Sequence, residues 1–218
     1  MSEPRIAELK HRLPAAARRT QLLDVALDRF AANGYHDTSM EEIAESAGVT
    51  KPVLYQHFSS KRKLYLELLE RVGRELLDQV VAGAAAEEHP YRRLLGGFRA
   101  YFHFVSERAS AFRLVFGTGA RQVDEFSDTV RQVEDALASN IAGFIDADID
   151  DEHRQLLGYA IVGLGEVAGR RWVALHNEPD QRVMDPQEAE VLAVRLADLV
   201  WAGLRGLPGH ADRLATGS

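Results

Sequence analysis

The 218-residue chain has no cysteine, which excludes a disulfide framework, thiol chemistry and a zinc finger, and suits a reducing intracellular setting. No apolar run approaches the ~20 residues a membrane span needs. Residues Met1 to Ala17 also lack the apolar core of a secretory signal. The expected place is therefore the cytoplasm, with no membrane partner. No stretch alternates with period two, so strands are not expected. G-x-S-x-G, H-E-x-x-H and P-loop patterns are missing, and His89, His103, His153 and His176 lack an acidic or histidine partner at metal-ligand spacing. The chain is not expected to be an enzyme or to carry a metal or cofactor.

What is present is unevenly spread. Residues 1–63 hold ten Lys+Arg against eight Asp+Glu, net +2, whereas residues 64–218 hold sixteen against twenty-five, net −9. Beyond the N-terminal arm the lysines are Lys51, Lys61 and Lys63 alone. Binding to phosphate depends on such local charge, because salt screens charges beyond ~8–10 Å.

The same region carries the most specific pattern, Ser39 to Lys63. Ser39 and Glu42 have the S-x-x-E spacing of a capping box and start a helix at Met40. Gly48 ends it in a left-handed turn. Thr50 is a good N-cap, and Pro52 suits the first turn of a second short helix to about Phe58. Helices this short need a partner to pack on. Ile43, Ala47, Val49, Leu54 and Phe58 supply the inward side, leaving Lys51, Pro52, Tyr55, Gln56 and His57 outward. A cation, an amide, an imidazole and an aromatic together are the side chains that grip phosphates and read base edges. A helix-turn-helix lays its second helix in the major groove in this way.

V-T-K-P-V-L-Y-Q-H-F-S-S-K (Val49 to Lys61), preceded by I-A-E-S-A-G (Ile43 to Gly48) and F-A-A-N-G-Y-H-D-T-S (Phe30 to Ser39), resembles the DNA-binding domain of TetR-family repressors. The resemblance covers about the first third of the chain, and its L-Y-x-H-F core is specific. It implies that Lys61 caps the next helix and holds a phosphate, that Tyr55 touches the DNA backbone, and that Lys51, Pro52, Gln56 and His57 lie against base edges. Thr50 precedes them. Val53 stands where the family often has a small residue, which leaves its contact open.

Residues 1–13 form a basic arm with little periodicity. Pro14 opens a scaffold helix to about Ala32, stopped by Asn33-Gly34, and residues 14–63 form the DNA-binding head. A long helix runs from Lys61 to about Ala86 and links head to body, which spans 64–207. Its further helices are expected over Tyr91–Glu107, Ser110–Phe116, Arg121 to about Ile145, Asp151 to about His176, and Pro186 to about Leu204, before a polar tail at 208–218. The fold class is all-α: a three-helix head and a larger helical body for ligand binding and dimerisation.

Two patterns in the body invite other readings. Gly163 to Ala168 matches G-x-G-x-x-A, but a dinucleotide site needs a strand before it; on a helix, Gly165 and Gly169 instead let two helices approach closely. Asp146 to Asp150 begins like a calcium loop, yet Asp151 and Leu157 stand where that loop needs Gly and Glu.

The resemblance implies an apolar pocket between body helices, a place where pockets commonly form. Its candidate lining is Phe98, Tyr101, Phe102, Phe116, Phe126 and Trp172, with Arg99, Arg170 or Arg171 for an anionic end of the ligand. The last two helices are expected to pair with a second copy through Gly165, Gly169, Leu192, Leu196 and Leu199 as a four-helix bundle. The expected whole is a homodimer on a palindromic double-stranded DNA operator, a repressor released by a small apolar or amphipathic effector. An activator of the same fold, or an all-α small-molecule carrier, is the alternative.

Overall fold

Pro14 stands at the N-cap of α1 (Ala15–Asp37), which buries Leu22, Leu23, Ala26, Leu27 and Phe30 at helical spacing. The expected stop at Gly34 takes the form of a break inside this element: Gly34 adopts φ +80°, a conformation that costs glycine little, and one further turn follows. The computed structural model describes residues 14–117, 124–175 and 185–208, so the basic arm at 1–13 lies outside them.

The chain divides into two compact units, Met1–Leu64 and Tyr65–Ser218. The first holds α1, α2 (Met40–Ser46), α3 (Lys51–His57) and the first turn of α4 (Lys61–Ala85). Ser60 starts α4 by accepting the Lys63 amide at 3.2 Å. Leu22, Ala26, Ile43, Leu54 and Leu64 are fully inaccessible and form the centre of this unit. Burial of each of the leucine and isoleucine side chains stabilises by roughly 1.5–3 kcal/mol, which is what holds two seven-residue helices in place.

The second unit comprises the rest of α4, α5 (Pro90–Glu107), α6 (Ala109–Phe116), α7 (Asp124–Phe144), α8 (Asp151–Leu175) and α9 (Pro186–Leu204). Prolines open α5 and α9, where their missing N–H is harmless, and His89 Nδ1 and the Asp185 carboxylate cap these helices. α5 packs on α6, α8 and α9, and α7 packs on α8. There is no strand among the described residues. The expected starts and ends at Arg121 and His176 lie outside them.

Glycines decide how closely these helices pack. A β-carbon on Gly158 would stand 2.3 Å from the Ala138 carbonyl oxygen, so α7 and α8 meet backbone to backbone there. The G-x-G-x-x-A run lies inside α8 and is helical throughout. In the aspartate-rich turn before α8, the Arg154 guanidinium donates to the carbonyls of Ile145, Ala147 and Ile149. Asp150 caps α8 by accepting the His153 amide at 2.7 Å. An arginine thus organises a turn whose composition suggested a calcium loop. One expectation needs correcting: His103 does have an acidic neighbour, Glu107, at 3.2 Å one helical turn on.

Candidate nucleic-acid interface and ligand cavity

The capping box forms as spaced. Ser39 N donates to Glu42 Oε2 at 2.7 Å and Glu42 N to Ser39 Oγ at 3.1 Å. The Ser39 backbone amide first, and then the Ser39 hydroxyl, hold the Glu42 carboxyl below its usual pKa. Gly48, at φ +66°, turns the chain toward α3. Thr50 occupies the N-cap with extended backbone, but its hydroxyl makes no cap bond. The reason is Pro52, which has no N–H to offer, while the Val53 amide bonds the Thr50 carbonyl instead at 2.9 Å.

α3 shows two distinct sides. Leu54 is fully buried and Phe58 nearly so, while Lys51, Pro52, Tyr55 and Gln56 are exposed and Val53 and His57 half-buried. The Arg19 guanidinium lies 4.5 Å over the Phe58 ring and covers it. Lys51 Nζ is 3.2 Å from Glu41 Oε2, which ties the first residue of α3 to α2. Lys61 does not share this surface. Its Nζ donates to the carbonyls of Tyr35, His36 and Thr38 at 2.8, 3.2 and 2.9 Å, and it sits 4.5 Å over the Tyr35 ring.

The second unit encloses an apolar cavity of about 1030 Å³, its mouth to solvent included. Val80 and Ala84 of α4, Leu94, Phe98 and Tyr101 of α5, Phe116 of α6, Leu137, Ile141 and Phe144 of α7, Ile161 of α8 and Trp201 of α9 line it. The polar groups on its wall are Arg93, Tyr101, Asn140, Asp146 and Glu166. Arg93 donates from Nε to the Glu87 carbonyl at 2.7 Å and lies 5.6 Å over Phe144. Glu166 is buried and pairs with Arg170 at 2.9 Å. The Tyr101 hydroxyl is buried with no hydrogen-bond partner among the described residues. Burial first, and then the Glu166 charge, push its pKa well above normal.

Residues 22–68 match the family described as bacterial regulatory proteins, tetR family. The HTH-type transcriptional activator FasR of Mycolicibacterium smegmatis is 32% identical over 200 residues, 91% of this chain and 88% of FasR. The chain belongs to the TetR family. Another relative, the transcriptional regulator TcmR of Streptomyces glaucescens, is 29% identical over 71% of this chain and 72% of TcmR. A TetR-like regulator from Rhodococcus sp. RHA1 superposes with TM-score 0.71 at 28% identity, over 89% of this chain and all of that one. FadR from Bacillus subtilis, solved with stearoyl-CoA, shares the fold with TM-score 0.70 at 18% identity, over 84% and 98% of the two chains. This TetR-family protein is a helix-turn-helix transcriptional regulator and not an enzyme.

Within the TetR-family body, three of the six expected cavity residues, Phe98, Tyr101 and Phe116, line the space. The other three are buried in the core and do not line it. Phe102 meets Trp172 edge to face at 6.0 Å, and Phe126 meets Tyr65 at 4.6 Å. Phe126 also lies on α7 three turns before the lining residues begin at Leu137. Of the arginines considered, Arg99 is taken by Glu190, with bonds of 2.6–3.0 Å, and Arg171 is exposed. The cation at the cavity wall is Arg93, which spacing alone did not distinguish from its neighbour Arg92.

Gly165 and Gly169 correct another expectation. Both are buried against their own chain, facing Tyr101 and Phe112 rather than outward. Aromatic rings from α5 and α6 fill the groove they leave. The outer side of α8 carries Leu156, Leu164, Val167 and Leu175 instead. On α9, Leu199 is 60% exposed and Leu192 and Leu196 are half-buried. Tyr55 apart, the large hydrophobic residues exposed among the described residues all lie on α8 or α9.

Proposed function

We propose that the protein is a cytoplasmic, effector-responsive repressor that binds a palindromic operator as a homodimer. The observation that carries this reading is the exposed side of α3. Its partly exposed or exposed residues, Thr50, Lys51, Pro52, Val53, Tyr55, Gln56 and His57, combine a cation, an amide, an imidazole and an aromatic above a fully buried Leu54. That composition suits base edges and phosphates. Lys61, whose ammonium is turned into the head, is not among them.

Dimerisation is supported by the exposed apolar residues of α8 and α9. Isolated exposed leucines are ordinary, but a set confined to two helices marks a surface that is covered in the working protein. A second copy covers it in the way a four-helix bundle requires. Two heads then reach half-sites about one DNA turn apart, ~34–36 Å, and linking them raises the effective concentration of the second.

The effector is an apolar or amphipathic small molecule held in the body cavity. It can release DNA only to the extent that it prefers the non-binding conformation. The stearoyl-CoA held by FadR makes long-chain acyl thioesters the first probes to try. A second reading, activation of transcription from the same operator, is favoured by the name of the relative FasR.

One experiment tests the reading. A duplex selected by the protein from a random library is used in mobility shifts with and without acyl thioesters of graded length, and the same duplex is placed ahead of a reporter. A selected duplex with no two-fold symmetry, or no retained duplex at all, would sink it. The sign of the reporter response separates repression from activation.

A further inference from the structure

The cavity of the second unit has two unlike ends. Phe98, Tyr101, Phe116, Leu137 and Glu166 are buried and close one of them. At the other, Arg93, Phe144 and Trp201 are half-buried and Asn140 and Asp146 exposed, so the cavity opens between the start of α5 and the last turns of α7 and α9. The charges differ in the same way. At the closed end the Glu166 carboxylate is met by Arg170 at 2.9 Å, so an anion placed there would face a buried negative charge whose counterion is already engaged. At the open end the Arg93 guanidinium lies 5.6 Å over the Phe144 ring and gives its Nε proton to the Glu87 carbonyl. Its terminal nitrogens, the fork that matches a carboxylate or phosphate, have no partner among the described residues. Arg99, by contrast, is spent on Glu190. Asp146, the other charge at the rim, is exposed and therefore screened.

We infer that Arg93 selects the polar end of the effector: the cavity takes an elongated apolar molecule tail first and seats an anionic oxygen group, a carboxylate or a phosphate, on the Arg93 fork at the mouth. Two parallel charge-assisted bonds make such a seat specific as well as strong. The positive end of α5, which opens at Pro90, adds to the same field. A molecule entering the other way round would bring its charge against Glu166 and leave its apolar tail in water at the rim.

The inference rests on the reading of the cavity as the effector site, and the experiment tells the two failures apart. The full chain is titrated with hexadecanoic acid, hexadecanoyl-CoA, hexadecanol and methyl hexadecanoate, and binding is read by calorimetry and by the emission of Trp201 at the mouth. No binding by any of these probes refutes the cavity reading. Equal binding by charged and neutral probes leaves that reading standing and overturns the inference. The expected result is that a charged probe binds about tenfold more tightly than the neutral ones, and the tighter of the acid and the thioester names the source of the oxyanion. Arg93→Gln, shown to be folded by circular dichroism, should lose most of that ratio. A merely structural Arg93 would weaken charged and neutral probes alike and keep the ratio, which overturns the inference. If Arg93→Gln does not fold, Arg93→Lys decides: one ammonium cannot fork around two oxygens, so the ratio should fall severalfold, and an undiminished ratio overturns the inference.

Discussion

Gly83 of α4 and Gly96 of α5 face each other so closely that a β-carbon on Gly96 would lie 2.2 Å from the Gly83 carbonyl oxygen, and one on Gly83 2.6 Å from that of Gly96. Two backbones cannot shift apart without moving their neighbours, and Val80, Ala84, Gly97 and Phe98 beside this crossing line the cavity. Gly96→Ala should therefore lose more than the ~1 kcal/mol that alanine gains in helix propensity. The expected net loss is about 1–3 kcal/mol, seen as a thermal midpoint lower by several degrees. An unchanged midpoint would contradict the crossing.

Tyr101→Phe should behave in the opposite sense. The hydroxyl is buried without a partner among the described residues, and removing such a group is neutral or stabilising in the unliganded protein. The pH dependence follows from the same burial. The folded pKa is raised above its unfolded value, so the neutral phenol contributes its share of stability below the unfolded pKa and loses it as pH climbs toward the folded one. Alkaline melts should fall less steeply for the variant than for the parent; parallel curves would show that Tyr101 is not desolvated.

At the acid end the relevant group is Glu42. Its folded pKa is depressed by the Ser39 amide and hydroxyl, so its contribution is present above the unfolded carboxylate pKa and disappears as pH falls through the folded one. Ser39→Ala should cost about 1 kcal/mol near neutral pH. Glu42→Gln should flatten the acid limb of a stability curve measured by denaturant titration. A Glu42→Gln curve as steep as the parent's would remove the assignment.

On the reading surface, Lys51→Ala and Gln56→Ala should relax preference at one or two operator positions, by about 1–3 kcal/mol each. Tyr55→Ala should weaken all sequences alike. Glu41→Gln frees the Lys51 ammonium from its present partner and should strengthen binding to random duplex more than to operator. Selection from a random library followed by mobility shifts distinguishes these patterns, and identical profiles for all four variants would argue against α3 as the reader.

For the dimer, charges are placed where apolar side chains are most exposed. Val167→Glu with Leu199→Glu, at positions 58% and 60% exposed, should yield a folded monomer in sedimentation velocity and abolish operator binding while random-duplex binding persists. A variant that remains dimeric would place the interface elsewhere.

Much of this protein was legible because its signals are local. The capping box, the left-handed Gly48, the helix-opening prolines and the outward side of α3 each depend on residues within about four positions of one another, where backbone geometry leaves few options. The Thr50 cap failed for an equally local reason, the missing proline N–H.

Periodicity determined which side of each helix turns inward, and with it the all-α class and the head with the exposed residues of α3. It could not determine what each inward side meets, because lining a cavity and filling a core demand the same apolar side chains. Tertiary structure alone decided that Phe102, Phe126 and Trp172 fill the core while Phe144 and Trp201 border the cavity. It also turned Gly165 and Gly169 toward Tyr101 and Phe112, and carried the Lys61 ammonium to carbonyls more than twenty residues away. Contacts between distant segments follow from how helices cross, and no spacing along the chain encodes that.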